Sequence, residues 1–254
     1  WQDALKTHWG LSGALTPLDG EYDLNFAAGD ANPGIVKVMR PGCEAGFIDL
    51  QIKALGHIRQ VAPNVPVPAV LPAQNGEQFQ NIADQDGMDR IVWVLEKMAG
   101  VTFANVRPQS SELLVKLGQA TGAMDKALEG FEHPHLHRDF KWNLMQANWI
   151  ADDLEVIRDS AQRDLVAGGL KQFQAILPDL QALPHVAIHN DVNDYNILVT
   201  GDLDTPAEIS GLIDFGDMCA APRVCDLAIA AAYAVLGQED PQTALTALVA
   251  GYHA

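Results

Sequence analysis

HNDVNDYN, residues 189–196, is the stretch on which the reading of the chain turns. Asn196 stands five positions after Asp191. An apolar run follows (ILVT, residues 197–200), then a turn (GDLDT, residues 201–205), a second apolar run (EISGLI, residues 208–213), and Asp214-Phe215-Gly216-Asp217. Two short apolar runs joined by turn-forming residues read as a β-hairpin, which here separates Asn196 from Asp214 by 18 positions. A rival lies upstream in HRDFKWN, residues 137–143. There the fifth residue after Asp139 is Leu144, Asn143 falls one position early, and no Asp-Phe-Gly follows at hairpin distance. HRDFKWN is therefore read as a decoy.

A carboxylate and an amide on one loop, with a second carboxylate presented after a hairpin, match what phosphoryl transfer from ATP asks of a protein. One carboxylate holds the acceptor hydroxyl, the amide and second carboxylate hold Mg2+ between the phosphates, and a lysine grips the nonreacting phosphates. His-x-Asp alone is a weak signal. The combination with the Asn, the two apolar strands and IDFGD is specific. A plain hairpin with polar turns would leave four acidic or amide side chains beside apolar strands without a role.

Upstream, residues 2–9 read as a short helix closed by Gly10. Short extended pieces follow (ALTPL, DGEYD, LNFAAG, DANPG, IVKVM), as in an antiparallel meander. A helix is expected over residues 44–61, with Phe47, Leu50, Leu55 and Ile58 on its apolar side, ended by prolines 63, 66 and 68. PAVLPA and RIVWVLEKM read as two more strands with a loop between them. From Ser110 to Gly130 and from Asp159 to Leu183 the pattern is helical, and helices return after Val224. The order is a small sheet lobe over residues 1–99 and a helical lobe over residues 100–254, with the boundary near Ala99-Gly100.

Composition narrows the partners. The hydrophobic share of 48% against 19% charged residues is that of a globular chain, and 254 residues suffice for one large domain or two lobes. A formal net charge of −17 works against nucleic acid and anionic membrane surfaces and favours a cationic small molecule. The longest apolar run, LAIAAAYAVLG at residues 227–237, is too short to span a bilayer and reads as a buried helix. Cys43, Cys219 and Cys225 have no metal-ligand spacing, and free thiols with no signal peptide suggest the cytoplasm. The chain opens on Trp1 and ends inside a helical run, as a fragment truncated in its C-terminal lobe would.

With these motifs in hand, the chain resembles the aminoglycoside phosphotransferase and choline kinase family, which has the protein-kinase fold. LDGEYDLNFAAG, IVKVMR, IDLQIKAL, VWVLEKMAG and PRVCDLAIAAAYA are similar to the hydroxylysine kinase-like branch in particular. The resemblance implies a two-lobed α+β fold and an ATP- and Mg2+-dependent transfer to the hydroxyl of a small amino alcohol or hydroxy-amino acid. It assigns Asp191 as the catalytic carboxylate, Asn196 and Asp214 as metal ligands, and Lys37 as the phosphate contact. Asp49 would pair with Lys37, with Glu44 as the alternative. Residues 96–98, from Glu96 to Met98, would form the hinge at the adenine, and residues 20–26 a phosphate-covering turn without GxGxxG. Asp19 and Asp23 read equally well as turn residues. Some bacterial members of the branch continue into a class III aminotransferase-like domain, so a fused enzyme domain is a further expectation. Two rival functions stand beside this reading: an aminoglycoside resistance kinase, and a degenerate kinase-like binding module of a larger protein.

Three further features have readings of their own. His133, His135 and His137 alternate as strand-borne metal ligands would, but Pro134 breaks the pairing and a polar loop is the better reading. His189 reads as support for the catalytic loop rather than as a base. Asp226 reads as a helix cap or a loop anchor ahead of a contact to a substrate ammonium.

Overall fold

The computed structural model describes residues 1–29, 34–201 and 207–254, so the turns expected in DANPG and GDLDT fall largely outside the described residues. In chain order the elements are α1 (Gln2–Trp9), β1 (Leu15–Leu18), β2 (Leu24–Ala28), β3 (Gly34–Val38), α2 (Ala45–Val61), β4 (Val70–Leu71), β5 (Phe79–Ala83), β6 (Asp89–Glu96) and β7 (Val101–Thr102). They continue with α3 (Ser111–Ala127), α4 (Ile150–Asp153), α5 (Ser160–Gln181), β8 (His185–Ile188), β9 (Ile197–Thr200), β10 (Glu208–Leu212), β11 (Cys219–Pro222), α6 (Val224–Ala234) and α7 (Pro241–Tyr252). Short 3-10 turns lie between them. Two compact units result: Trp1–Asn105 with Ile197–Ile213, and Val106–Asn196 with Asp214–Ala254.

In the first unit, β1, β2, β3, β6 and β4 lie side by side and β5 adds to β6, all antiparallel. Strand alternation sets the core. β3 buries Gly34, Val36 and Val38 and leaves Ile35 and Lys37 half-buried on the other face. Val36 and Val38 join Leu5, Ala28, Val92 and Val94 in one apolar cluster. α2 buries Ile48, Leu50, Leu55 and Ile58 at helical spacing and stops at Val61, before Pro63. The expected loop between the fourth and sixth strands contains β5. Its sequence FQNIA has only a broken apolar alternation, and it becomes a strand by pairing along β6.

The boundary also differs from Ala99-Gly100. Val101 and Thr102 pair with Val199 and Leu198, which keeps the chain with the first unit as far as Asn105 and brings the β9–β10 hairpin into that unit. Gly100 makes this possible: its φ is +127°, and a Cβ would lie 2.7 Å from the Val199 carbonyl oxygen.

The second unit is built on α3 and α7. A Cβ on Gly118 would come within 2.0 Å of the Leu248 carbonyl oxygen, and one on Gly251 within 2.0 Å of the Val115 carbonyl oxygen, so glycines let the two backbones touch. Ser110 caps α3 by accepting from the Leu113 N–H at 3.2 Å. A two-stranded β8–β11 ribbon packs Ile188, Cys219 and Ala221 with Cys225 at the head of α6. Among the described residues no helix is long and apolar enough to cross a membrane.

Candidate active site

The loop after β8 is held from below by a buried acid. His189 N–H donates to Asp226 Oδ2 at 2.7 Å and Asn190 N–H donates to Asp226 Oδ1 at 2.6 Å. Asp226 lies in the first turn of α6, yet it makes no cap there; its oxygens anchor the loop instead. Asn190 adopts φ +64°, a left-handed conformation that turns the chain out of the strand. His189 Nδ1 accepts the Asp191 N–H at 3.2 Å, and its ring stands edge-on to Phe215 at 4.5 Å. Its role in the loop is support, as expected.

Two asparagines fix the Asp191 carboxylate. Asn193 Nδ2 donates to Oδ1 and Asn196 Nδ2 donates to Oδ2, each at 2.7 Å, and Asn196 Nδ2 also reaches the Asp191 carbonyl oxygen at 3.0 Å. Asn193 Oδ1 in turn accepts the N–H groups of Tyr195 and Asn196 at 2.8 and 3.1 Å, which closes the turn between Asp191 and Asn196. Asn193 is a functional neighbour that the motif spacing does not mark, although an Asn two residues before Tyr195 in a polar turn is the usual signature of such closure. Burial pushes the Asp191 carboxyl up to about 7; the neighbouring carboxylates Asp217 and Asp214 add to the rise, and the Asn193 and Asn196 amides oppose it.

Asp214 takes φ +64° and ψ +72°, uncommon for a non-glycine residue, ahead of a 3-10 turn at Phe215–Asp217. Phe215 is buried, and a Cβ on Gly216 would lie 3.3 Å from Asp214 Oδ1. Asn196 and Asp214 suit Mg2+ chemically. With its nitrogen committed to Asp191, the Asn196 amide is left with its oxygen as donor, and Asp214 supplies a carboxylate. Among the described residues no cluster of three or more His, Cys, Asp or Glu side chains could hold a metal alone. Two oxygen donors suit Mg2+, which keeps waters and substrate phosphates in its shell. Among the three alternating histidines, His133 Nδ1 accepts the His135 N–H at 3.2 Å across the turn Pro134–Leu136.

HRDFKWN has work in this unit. Arg138 Nη2 donates to the Gly216 carbonyl at 2.8 Å and reaches the Met218 carbonyl at 3.4 Å, and its guanidinium lies 3.9 Å over the Phe140 ring. Asn190 Nδ2 donates to the Trp142 carbonyl at 3.1 Å. The segment thus buttresses both functional stretches through Arg138 and its backbone. Arg138→Ala leaves those carbonyls without their charged donor and is expected to cost about 1–3 kcal/mol, measured as a lowered urea midpoint beside an Asp139→Ala control.

The other expected site residues lie in the first unit. Lys37 sits in β3, opposite Asn25 on one side and Trp93 on the other. Asp49 pairs with Lys53 at 2.6 Å, one helical turn on. Glu96 Oε2 accepts the Ala69 N–H at 3.1 Å and lies 3.7 Å from Arg59 Nη1, so its side chain fastens β6 to the chain before β4; Met98 follows, half-buried. In the turn over residues 20–26, Asp23 Oδ1 accepts the Arg40 N–H at 2.6 Å, and the Asp19 carbonyl accepts Asn25 Nδ2 at 3.2 Å.

Antiparallel sheet, helical unit and an Asp–Asn loop followed by Asp-Phe-Gly define the protein-kinase-like class. The fold agrees with that of an amicoumacin kinase in complex with AMP-PNP and Ca2+ (18% identity, TM-score 0.73, 99% of this chain and 75% of that one). It agrees also with a microcompartment-associated aminopropanol kinase (20% identity, TM-score 0.65, 99% and 79%). Residues 14–254 match the phosphotransferase enzyme family, and the chain belongs to it. Hydroxylysine kinase of Danio rerio is 27% identical over 264 residues, 98% of this chain and 73% of the relative. Hydroxylysine kinase of Mus musculus is 31% identical over 64% of this chain, and homoserine kinase of Zymomonas mobilis 28% over 76%. The matched segments span about half of those two relatives, 45% and 56%. These matches lend no support to a fused aminotransferase-like domain.

Proposed function

We propose that the chain transfers a phosphoryl group from ATP to the hydroxyl of a small molecule that also carries an ammonium group, an amino alcohol or hydroxy-amino acid. The observation that carries this reading is the Asp191 carboxylate, half-buried and held by Asn193 and Asn196. Held in this way, Asp191 would orient the acceptor hydroxyl and take its proton as the new O–P bond forms and ADP leaves. Its raised proton affinity suits that role. Asn196 and Asp214 would hold Mg2+, which supplies charge neutralisation at the phosphates. Lys37, paired with Asp49 or Glu44, would contact the phosphates, and the backbone from Glu96 to Met98 the adenine.

Acidity supports an ammonium-bearing acceptor. Asp194 and Asp217 accompany Asp191, and the chain's net charge is −17. Hydroxylysine, homoserine and aminopropanol, named for the similar kinases, all combine amine and hydroxyl. A cytoplasmic setting fits the thiols: Cys43, Cys219 and Cys225 are free, and burial pushes the latter two up to about 12. ADP release with hydroxylysine, ethanolamine, homoserine, choline and kanamycin, beside size-matched neutral sugars, tests the acceptor. Turnover is expected with a small amine. Turnover of a sugar with none of the amines used would sink the charge reading.

A further inference from the structure

Behind the loop that carries Asp191 lies a second pair of carboxylates, which the transfer reaction does not use. Asp125 on α3 and Asp226 on α6 are 1% and 0% exposed. Asp226 places one oxygen on each of the His189 and Asn190 N–H groups. Asp125 Oδ2 accepts the Tyr252 hydroxyl at 2.5 Å, from the end of α7. Asp125 Oδ1 is buried and takes no hydrogen bond from any described donor, although the side chain is within hydrogen-bonding reach of Asp226. Two ionised carboxylates meeting in a dry interior repel each other without solvation. One proton between them removes the repulsion and satisfies the orphaned oxygen.

The surrounding groups decide where the proton sits. Arg223, before α6, and the Tyr252 hydroxyl favour charge on Asp125, but burial and Asp226 outweigh them and hold its carboxyl well above the usual range. Burial raises Asp226 as well, but His189, the Asp125 carboxyl and the two loop N–H groups pull it back toward the anion. Cys219 and Cys225, the other titratable groups facing Asp226, stay neutral thiols. Asp226 already accepts one N–H on each oxygen, whereas Asp125 Oδ1 accepts none, so the shared proton is assigned to Asp125.

The geometry points to Asp125 as a neutral acid that donates from Oδ1 to the Asp226 carboxylate, so that Tyr252, Asp125 and Asp226 form a strut from α7 to the loop bearing Asp191. Asp125 is then a positioning residue acting through Asp226. Its chemistry predicts that an amide can replace it, because the side-chain nitrogen introduced by Asp125→Asn would donate where the acid proton did. If Asp125 were instead an anion paired with Arg223, an amide would fail.

Linkage separates the two cases. An acid whose folded pKa is raised keeps its proton in the native state while the unfolded chain loses it above about pH 4, so native stability falls as pH rises toward the folded pKa. Asp125→Asn removes that loss. The difference in Tm between Asp125→Asn and wild type is therefore expected to grow as pH rises from about 5 toward the folded pKa, by roughly 2–4 °C per unit. A constant penalty from imperfect packing of the amide leaves this slope untouched. Asp125→Ala has the same slope but a lower Tm at every pH, and in turnover its kcat is expected to fall roughly 10-fold, with KM for ATP unchanged and kcat restored in Asp125→Asn. A Tm difference that is flat or shrinks with rising pH overturns the shared proton. The kcat arm rests on the reading of Asp191 as catalytic, whereas the Tm arm does not, so the two failures are told apart.

Discussion

Asp191→Ala is expected to lower kcat by about 10²–10⁴-fold, the usual worth of a positioned acid–base group, while nucleotide binding stays close to wild type. The carboxylate is held by the side chains of Asn193 and Asn196, so its loss removes an oriented acceptor for the substrate hydroxyl without touching the anchor beneath the loop, since His189 and Asn190 bind Asp226 through backbone N–H groups. Asp139→Ala is expected to keep most of the activity, because HRDFKWN meets the Asp191 loop through the Trp142 carbonyl and the turn after Asp214 through Arg138, rather than through Asp139. Stopped assays on matched folded preparations decide between the loops. A dead Asp139→Ala beside an active Asp191→Ala would reverse the assignment.

The second large effect concerns the metal. Asp214→Asn keeps the shape of the side chain but removes its charge. Nucleotide binding in the presence of Mg2+ is expected to weaken on the order of 10²-fold, in line with the several kcal/mol a bound cation contributes at phosphate oxygens. Binding without Mg2+ should change little or tighten, since one negative charge near the phosphates is gone. Calorimetry in magnesium and in chelator gives both numbers. Equal losses in the two conditions would remove Asp214 from the metal site.

The parts of the candidate site that could be read from the sequence are those fixed by short-range spacing. Asp191, Asn196 and Asp214 announce themselves because a five-residue turn and a hairpin leave little freedom in where the three groups fall. The helices over residues 2–9 and 44–61 were legible from Gly10, Pro63 and their apolar periodicity. β5 was not, because FQNIA owes its state to β6 rather than to its own pattern. The buttress was not legible either. Arg138 bonds to Gly216 across 78 positions, and Tyr252 to Asp125 across 127, and no local signal marks such pairs. The domain boundary slipped for the same reason: β7 is two residues long, and its partner β9 lies about a hundred residues downstream.

Phosphorus NMR of the wild-type chain with ATP, Mg2+ and hydroxylysine, run beside Asp191→Ala, decides whether the chain is a phosphotransferase. A phosphomonoester resonance that grows with ADP is expected in the wild type and none in the variant. If ATP binds but no ester forms with hydroxylysine, ethanolamine, homoserine, choline or kanamycin, the chain is a nucleotide-binding module rather than a phosphotransferase of small amines.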